Sequence, residues 1–181
     1  MISSFSQRFL SPQEIVAQFN LELGMTIADF GSGAGDFSIA AAQAVGSNGK
    51  VYAIDVLESA HQSLRSKARI SEVRNIEMFL TNLETPSGST LPEDSVDQVM
   101  IHNLLFQVQD KVQIIKDAKK ILKNTGKVNI IEWDLSSPIG PSKNSRMSET
   151  EITSLLTSIG FVLDRRIQAG KYHYGLIYRI Q

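Results

Sequence analysis

The sequence predicts an α/β protein whose mostly parallel sheet is covered by helices on both faces. Three observations predict it. Five short apolar runs between Thr26 and Asp134 alternate with helical patterns, which is the signature of βαβ units and a parallel sheet. Two further runs, Phe161 to Ile167 and Tyr172 to Ile180, are joined only by Gln168-Ala169-Gly170-Lys171, so they form an antiparallel hairpin. A glycine-rich turn, Gly31-Ser32-Gly33-Ala34-Gly35, lies between the first strand and the next helix. With 181 residues the chain suits one domain with a substantial core.

The elements follow in order. Ser11 and Pro12 suit the N-cap and N1 positions of a first helix, and Glu14 at N3 would complete a capping box. That helix runs through Ile15, Val16 and Phe19 to about Asn20. Thr26 to Phe30 is the first strand. Phe37 to Ala44 is a helix with a small-residue face, closed by Gly46. Lys50 to Val56 is the second strand, Ser59 to Ser71 a helix, and Ile76 to Leu80 the third strand. Asn82 to Asp94 is a loop rich in Pro, Gly, Ser and Thr. Val96 to His102 is the fourth strand. Lys111 to Leu122 is an amphipathic helix carrying Val112, Ile115, Ala118 and Ile121 on one side. Asn124-Thr125-Gly126 reads as its C-cap, and Lys127 to Asp134 as the fifth strand. A second loop spans Leu135 to Met147. Ser148, with Glu151 at N3, caps a helix that Gly160 ends.

Composition narrows the function. Hydrophobic residues make up 42% of the chain and charged residues 20%, as in ordinary globular proteins. A formal net charge of −1 argues against a dedicated nucleic-acid binder. The absence of cysteine excludes disulfides, thiolate catalysis and Cys-ligated zinc, and no metal site is expected. No apolar run reaches the roughly 18 residues that span a bilayer, and Met1 to Ser6 lacks the pattern of a signal peptide. A soluble cytoplasmic protein is expected.

The ligand site is expected at the carboxyl ends of the strands, where strand order reverses between the first and fourth strands. The glycine turn lies there. Glycine permits positive φ and close approach of a ligand to backbone, and the following helix begins with a positive dipole end. Asp55 ends the second strand, twenty residues after Gly35, where an acid can accept hydrogen bonds from both hydroxyls of a ribose. The dinucleotide fingerprint G-x-G-x-x-G is broken, because its third glycine would fall on Asp36. Acids at 29 and 36 would also repel a pyrophosphate. Adenosine joined to an amino acid, whose ammonium welcomes a carboxylate, fits both halves of the site.

Asp29-Phe30-Gly31-Ser32-Gly33-Ala34-Gly35, with Asp55 at the next strand end, resembles the class I S-adenosylmethionine-dependent methyltransferases. The closest subgroup is the small methyltransferase-domain, ubiquinone/menaquinone C-methylase-like proteins. The resemblance covers nearly the whole chain. It implies a three-layer Rossmann-like sandwich, with a seven-stranded sheet of order 3-2-1-4-5-7-6 and strand 7 antiparallel. It also implies the cofactor S-adenosylmethionine, with S-adenosylhomocysteine as product. On this resemblance Gly31, Ser32, Gly33 and Gly35 pass under the methionine moiety and Asp29 organises the turn. Asp55 holds the ribose, and Val56 and Leu57 border the adenine. Asn82 and Leu83 stand after the third strand, where the family often has an acid; Asn82 can still accept through its carbonyl oxygen. His102, Asn103 and Leu104 form the segment that lines the methionine end.

Methyl transfer from a sulfonium depends mainly on proximity and orientation, worth about 7–11 kcal/mol of barrier. A base is needed only when the acceptor must lose a proton early. His102 is the best-placed candidate, with Asn103 beside it, and a wall of the cofactor pocket is its plainer role. Trp133 could stack on a flat substrate. Lys143 and Arg146 could bind an anionic one, and His173 could face its entrance. His61 reads as a helix-surface residue. The segment Phe5 to Leu10 could fold over the cofactor as a lid. With no inserted domain, the acceptor side is either open to a large substrate or completed by a second subunit, so a homodimer is an open alternative. The leading expectation is methylation of a small molecule. Alternatives are an RNA or protein methyltransferase using Arg165, Arg166, Lys171 and Arg179, and a catalytically silent cofactor-binding protein. An NAD-dependent oxidoreductase is disfavoured by the glycine spacing.

Overall fold

The computed structural model describes residues 11–181. The strands are β1 (Thr26–Phe30), β2 (Lys50–Asp55), β3 (Ile76–Leu80), β4 (Val96–His102), β5 (Leu122–Trp133), β6 (Phe161–Ile167) and β7 (His173–Ile180). They form one sheet of order β3-β2-β1-β4-β5-β7-β6. Neighbours from β3 to β5 pair in parallel, and β7 runs antiparallel to both β5 and β6. The expected topology and hairpin are therefore both present.

The helices are α1 (Pro12–Val16), α2 (Asp36–Val45), α3 (Glu58–Ile70), α4 (Lys111–Ile121) and α5 (Glu149–Ser158). Buried apolar side chains of α4 and α5 pack with Val99, Ile101, Val128 and Ile130 on one face of the sheet. Those of α1 and α2 pack with Ile27, Val51, Met100, Ile131 and Ile177 on the other. Leu64 and Ala68 of α3 join that second face through Ala53 and Ile39. Alternate residues of one strand thus serve opposite cores, as the pleat requires.

Three local expectations are corrected. The first helix stops at Val16, short of Asn20, and the Ser11 side chain makes no cap hydrogen bond. Its end tightens into three-residue turns that send Phe19 fully inside, and Asn20 takes φ +55°. The segment Asn124-Thr125-Gly126 is no helix cap. Leu122 is already extended, and the last carbonyls of α4 are met across the sheet edge by the amides of Asp94 and Ser95, which removes the need for a glycine cap. His61, expected on a helix surface, is buried. By contrast, the capping box of Ser148 and Glu151 is complete. The lid expected from Phe5 to Leu10 lies outside the described residues.

Candidate active site

The glycine turn occupies the crevice above β1, between β2 and β4. The amides of Gly31 and Ser32 both donate to Ile54 O, and Gly31, Gly33 and Gly35 take φ of +71°, +52° and +83°. Their roles differ. A Cβ on Gly33 would meet no protein atom within 4 Å, because that face opens into a cleft. A Cβ on Gly31 would press on Leu104, 2.9 Å away, and one on Gly35 would overlap Leu64. Gly35 is thus packed against α3 and lies outside the cleft lining.

The cleft has a volume of about 340 Å³. Gly31, Gly33, Asp55, Val56, Leu57, Asn82 and Leu83 line it, all of them expected from the sequence. Val56 and Leu57 are 61% and 58% exposed, apolar surface that suits one face of a flat ring. Asp55 ends β2 with its carboxylate pointed back at the turn, accepting Gly33 N at 2.8 Å and Leu57 N at 2.9 Å. Asn82 Oδ1 already accepts the Glu84 amide at 2.9 Å, and a second lone pair remains for a ligand.

Asp29 lies beneath the turn, 2% exposed, and accepts a short hydrogen bond from Ser38 Oγ at 2.5 Å. Burial pushes its carboxyl up to about 7; the Ser38 bond works against that, and the Asp55 charge adds to it. Asp36, the residue that breaks the dinucleotide fingerprint, is the first residue of α2 and pairs with Lys67 at 2.5 Å.

The other end of the crevice is aromatic. His102, at the end of β4, packs against Phe37 at 3.9 Å and Phe19 at 5.7 Å. Burial alone pushes its pKa down to about 3, so the imidazole is neutral at pH 7 and a weak proton acceptor. Asn103 follows at φ +52°, with its Oδ1 buried and without a partner. Trp133 and His173 are register partners on β5 and β7, with ring centroids 4.1 Å apart. Burial first, and then the Arg146 charge, lowers the His173 pKa to about 4.

Residues 21–172 match the family described as "Methyltransferase domain". The chain belongs to that family. Among curated relatives, the methyltransferase domain is 26% identical over 139 residues to a demethylmenaquinone methyltransferase of Geobacillus sp. (strain WCH70), covering 77% of this chain and 58% of that protein. The chain thus spans just over half the length of the curated relatives it matches. A solved SAM-dependent methyltransferase from Aquifex aeolicus superposes with a TM-score of 0.85 at 27% identity, covering 96% of this chain and 91% of that one. The [4+2]-cyclase SpnF superposes at 0.74 with 13% identity, covering 93% of this chain and 80% of that one. The fold by itself therefore does not determine the reaction.

The family and its structural neighbours imply S-adenosylmethionine as cofactor. The methyltransferase domain has the features such a group needs. Gly33 leaves open the space that a Cβ would fill, and apolar side chains line the cleft together with the Asp55 carboxylate. Ser32 falls outside the cleft lining, its Oγ buried without a partner.

Arg146 departs from expectation. It is 8% exposed, and its five N–H donors all serve backbone carbonyls, those of Asp134, Ser137, Ile139 and, twice, Pro141. No donor remains for an anionic substrate. Its guanidinium also sits 6.0 Å over the Trp133 ring. Lys143 is exposed on a single 3₁₀ turn, Lys143–Ser145. The basic group near the C-terminus is partly neutralised: Arg165 pairs with Asp164 at 3.0 Å and Arg166 with Glu149 at 2.8 Å. Lys171 lies 5.5 Å from the Tyr172 ring.

Sequence reading missed Thr81, Glu84, Gln107, Val108 and Ile114, which complete the cleft with Leu104. Most belong to loops whose path depends on distant anchors. Glu84 Oε1 is one, accepting the amides of Gln109 and Asp110 at 2.7 and 2.8 Å. The spacing of β3 and β4 carries no signal for that clasp.

Proposed function

We propose that this methyltransferase domain transfers a methyl group from S-adenosylmethionine to a planar aromatic small molecule bearing hydroxyl or carbonyl groups, of the quinol type. One observation carries the reading. His102 and His173 are buried, and all four ring nitrogens lack a hydrogen-bond partner among the described residues. They stand on the α1/α2 face of β4 and β7, on either side of Trp133. A neutral imidazole has one donor and one acceptor, and leaving such groups unpaired inside a protein costs about 1–3 kcal/mol each. An acceptor with ring oxygens would meet them while its flat face stacks on Trp133 or Phe37. The demethylmenaquinone methyltransferase names among the relatives support the same class.

S-adenosylmethionine supplies the activated methyl group on its sulfonium. Asp55 holds the ribose, and Val56, Leu57, Asn82 and Leu83 frame the adenine. Gly31 and Gly33 let the methionine end lie on the backbone, and Asn103 lines its far side. Asp29 organises the turn from beneath, bonded to Ser38. His102 and His173, both neutral at pH 7, orient the acceptor by hydrogen bonds. With the methyl group supplied by the bound cofactor, the acceptor's carbon or oxygen, oriented by the two imidazoles, would be the atom that receives it, and the acceptor's displaced proton would pass to water.

The test is transfer of labelled methyl from S-adenosylmethionine to a panel of quinols, catechols, short RNAs and unfractionated protein. Label should enter the quinols or catechols. His102→Phe should lower kcat at least tenfold with cofactor affinity within twofold of wild type. Label appearing only in RNA or protein would sink the proposal.

A further inference from the structure

Glu132 is a buried acid that methyl transfer does not use. It closes β5 within Ile130-Ile131-Glu132-Trp133, on the α4/α5 face, and is 1% exposed. Its Oε1 accepts the amide of Leu105 at 2.7 Å, and its Oε2 has no partner. Burial pushes its pKa up to about 7; the amides of Leu105, Trp133, Phe106 and Leu104, in that order, work against this. Of these amides, only Leu105 completes a hydrogen bond in the geometry.

That bond fixes the bend after β4. Asn103 turns at φ +52° with its amide on Ile131 O, and the Gln107 amide closes on Leu104 O at 3.1 Å. Leu105 is fully buried beneath the bend. Leu104 projects forward, and Gln107 and Val108 join it at the cleft. The Leu104 side chain lies where a Cβ of Gly31 would be, and it forms part of the cleft wall. A continuous path therefore runs from the Glu132 carboxylate through the Leu105 N–H to the Leu104 side chain and the glycine turn.

We propose that Glu132 is a positioning residue for the cofactor cleft, holding Leu104 against Gly31 through the Leu105 amide. This rests on the cleft being the cofactor site. A buried acceptor bonded to a backbone amide is costly to remove, because the amide is left unpaired. The bond also fixes backbone and not a flexible side chain, so its loss displaces the wall directly.

The experiment is calorimetric titration of S-adenosylhomocysteine into wild type, Glu132→Met, Glu132→Gln, Leu104→Ala and the Glu132→Met/Leu104→Ala double variant. Met fills the space without a strong acceptor, and Gln keeps a carbonyl oxygen. Glu132→Met should weaken binding at least fivefold, and Glu132→Gln should restore it to within twofold of wild type. The double variant should bind no more than twofold worse than the weaker single variant, because both act on one contact. Fully additive losses, or a Gln variant as weak as Met, overturn the proposal. Should the Met variant not fold, hydrogen exchange of wild type decides. The Leu105 amide should be protected and become more so with S-adenosylhomocysteine; an amide that the product leaves unchanged overturns the role. A wild type that binds neither cofactor nor product overturns the cofactor reading itself. Normal wild-type binding with unchanged affinity in Glu132→Met overturns only Glu132.

Discussion

The carboxylate of Asp55 accepts the amide of Gly33 with one oxygen and the amide of Leu57 with the other, at 2.8 and 2.9 Å. One side chain thus ties the glycine turn to the residue that begins α3. Asp55→Ala removes both ties and the acceptor facing a ribose. Affinity for S-adenosylmethionine and S-adenosylhomocysteine should fall at least tenfold, about 1.4 kcal/mol, in calorimetric titration. Asp55→Asn, which keeps one acceptor, should fall between that and wild type. NAD should give no binding heat. Unchanged affinity in Asp55→Ala would remove the ribose from this carboxylate.

Gly33 and Gly35 separate binding from stability. Alanine at Gly33 enters open space at φ +52°, so the fold should lose only about 1–2 kcal/mol, the cost of a left-handed residue. Its methyl would occupy ligand space, and cofactor affinity should drop more than tenfold. Alanine at Gly35 collides with the fully buried Leu64 at φ +83°. It should cost about 2–4 kcal/mol in urea unfolding. The opposite pattern would mean that the turn presents its other face.

Arg146 ties down its own loop. Arg146→Met strips five carbonyl bonds at once and should destabilise the fold by about 3 kcal/mol. Arg146→Lys should recover only part of this, since an ammonium cannot reproduce the planar fork. Were Arg146 a substrate ligand instead, urea midpoints would hold and only the acceptor KM would rise.

Asp29 gives stability a pH dependence of defined sign. Its carboxyl titrates near 3.8 unfolded and at about 7 folded. Below 3.8 both states hold the proton. Between the two values the unfolded chain releases it first, so stability falls as pH rises; above about 7 the loss is complete. The unfolding free energy of wild type relative to Asp29→Asn should therefore decline from pH 4 to 7 and then level off. A difference that grows with pH would show that the folded carboxyl is held charged.

The sheet was legible because each strand is an apolar run with local punctuation, and short-range signals set their order along the chain. The lining of the cleft was legible for a related reason: Asp55 ends β2 and Gly33 lies just past β1, where chain position and spatial position coincide. The aromatic end was half legible. Trp133 and His173 could be singled out, but their register partnership depends on how β7 folds back. Arg146 and Glu132 could not be read correctly. An arginine in a Pro-Gly-Ser loop looks solvated until its carbonyl partners are placed around it, and a glutamate in Ile-Ile-Glu-Trp looks like the wet side of a strand. The missing Asn124-Thr125-Gly126 cap failed similarly, since the amides replacing it come from Asp94 and Ser95 on another segment.

The loop from Asp134 to Arg146 draws most of its hydrogen bonds from within itself, with the Asp134 amide tied outward to Tyr172 O. One guanidinium satisfies four of its carbonyl groups, and Gly140 rests on the Trp133 ring. Its shape depends on main-chain atoms and a few anchoring side chains, while the side chains of Lys143 and Asn144 stand exposed. Such a segment can exchange its surface residues over generations without reshaping its backbone. The surface chemistry beside Trp133 can thus vary independently of the glycine turn and Asp55.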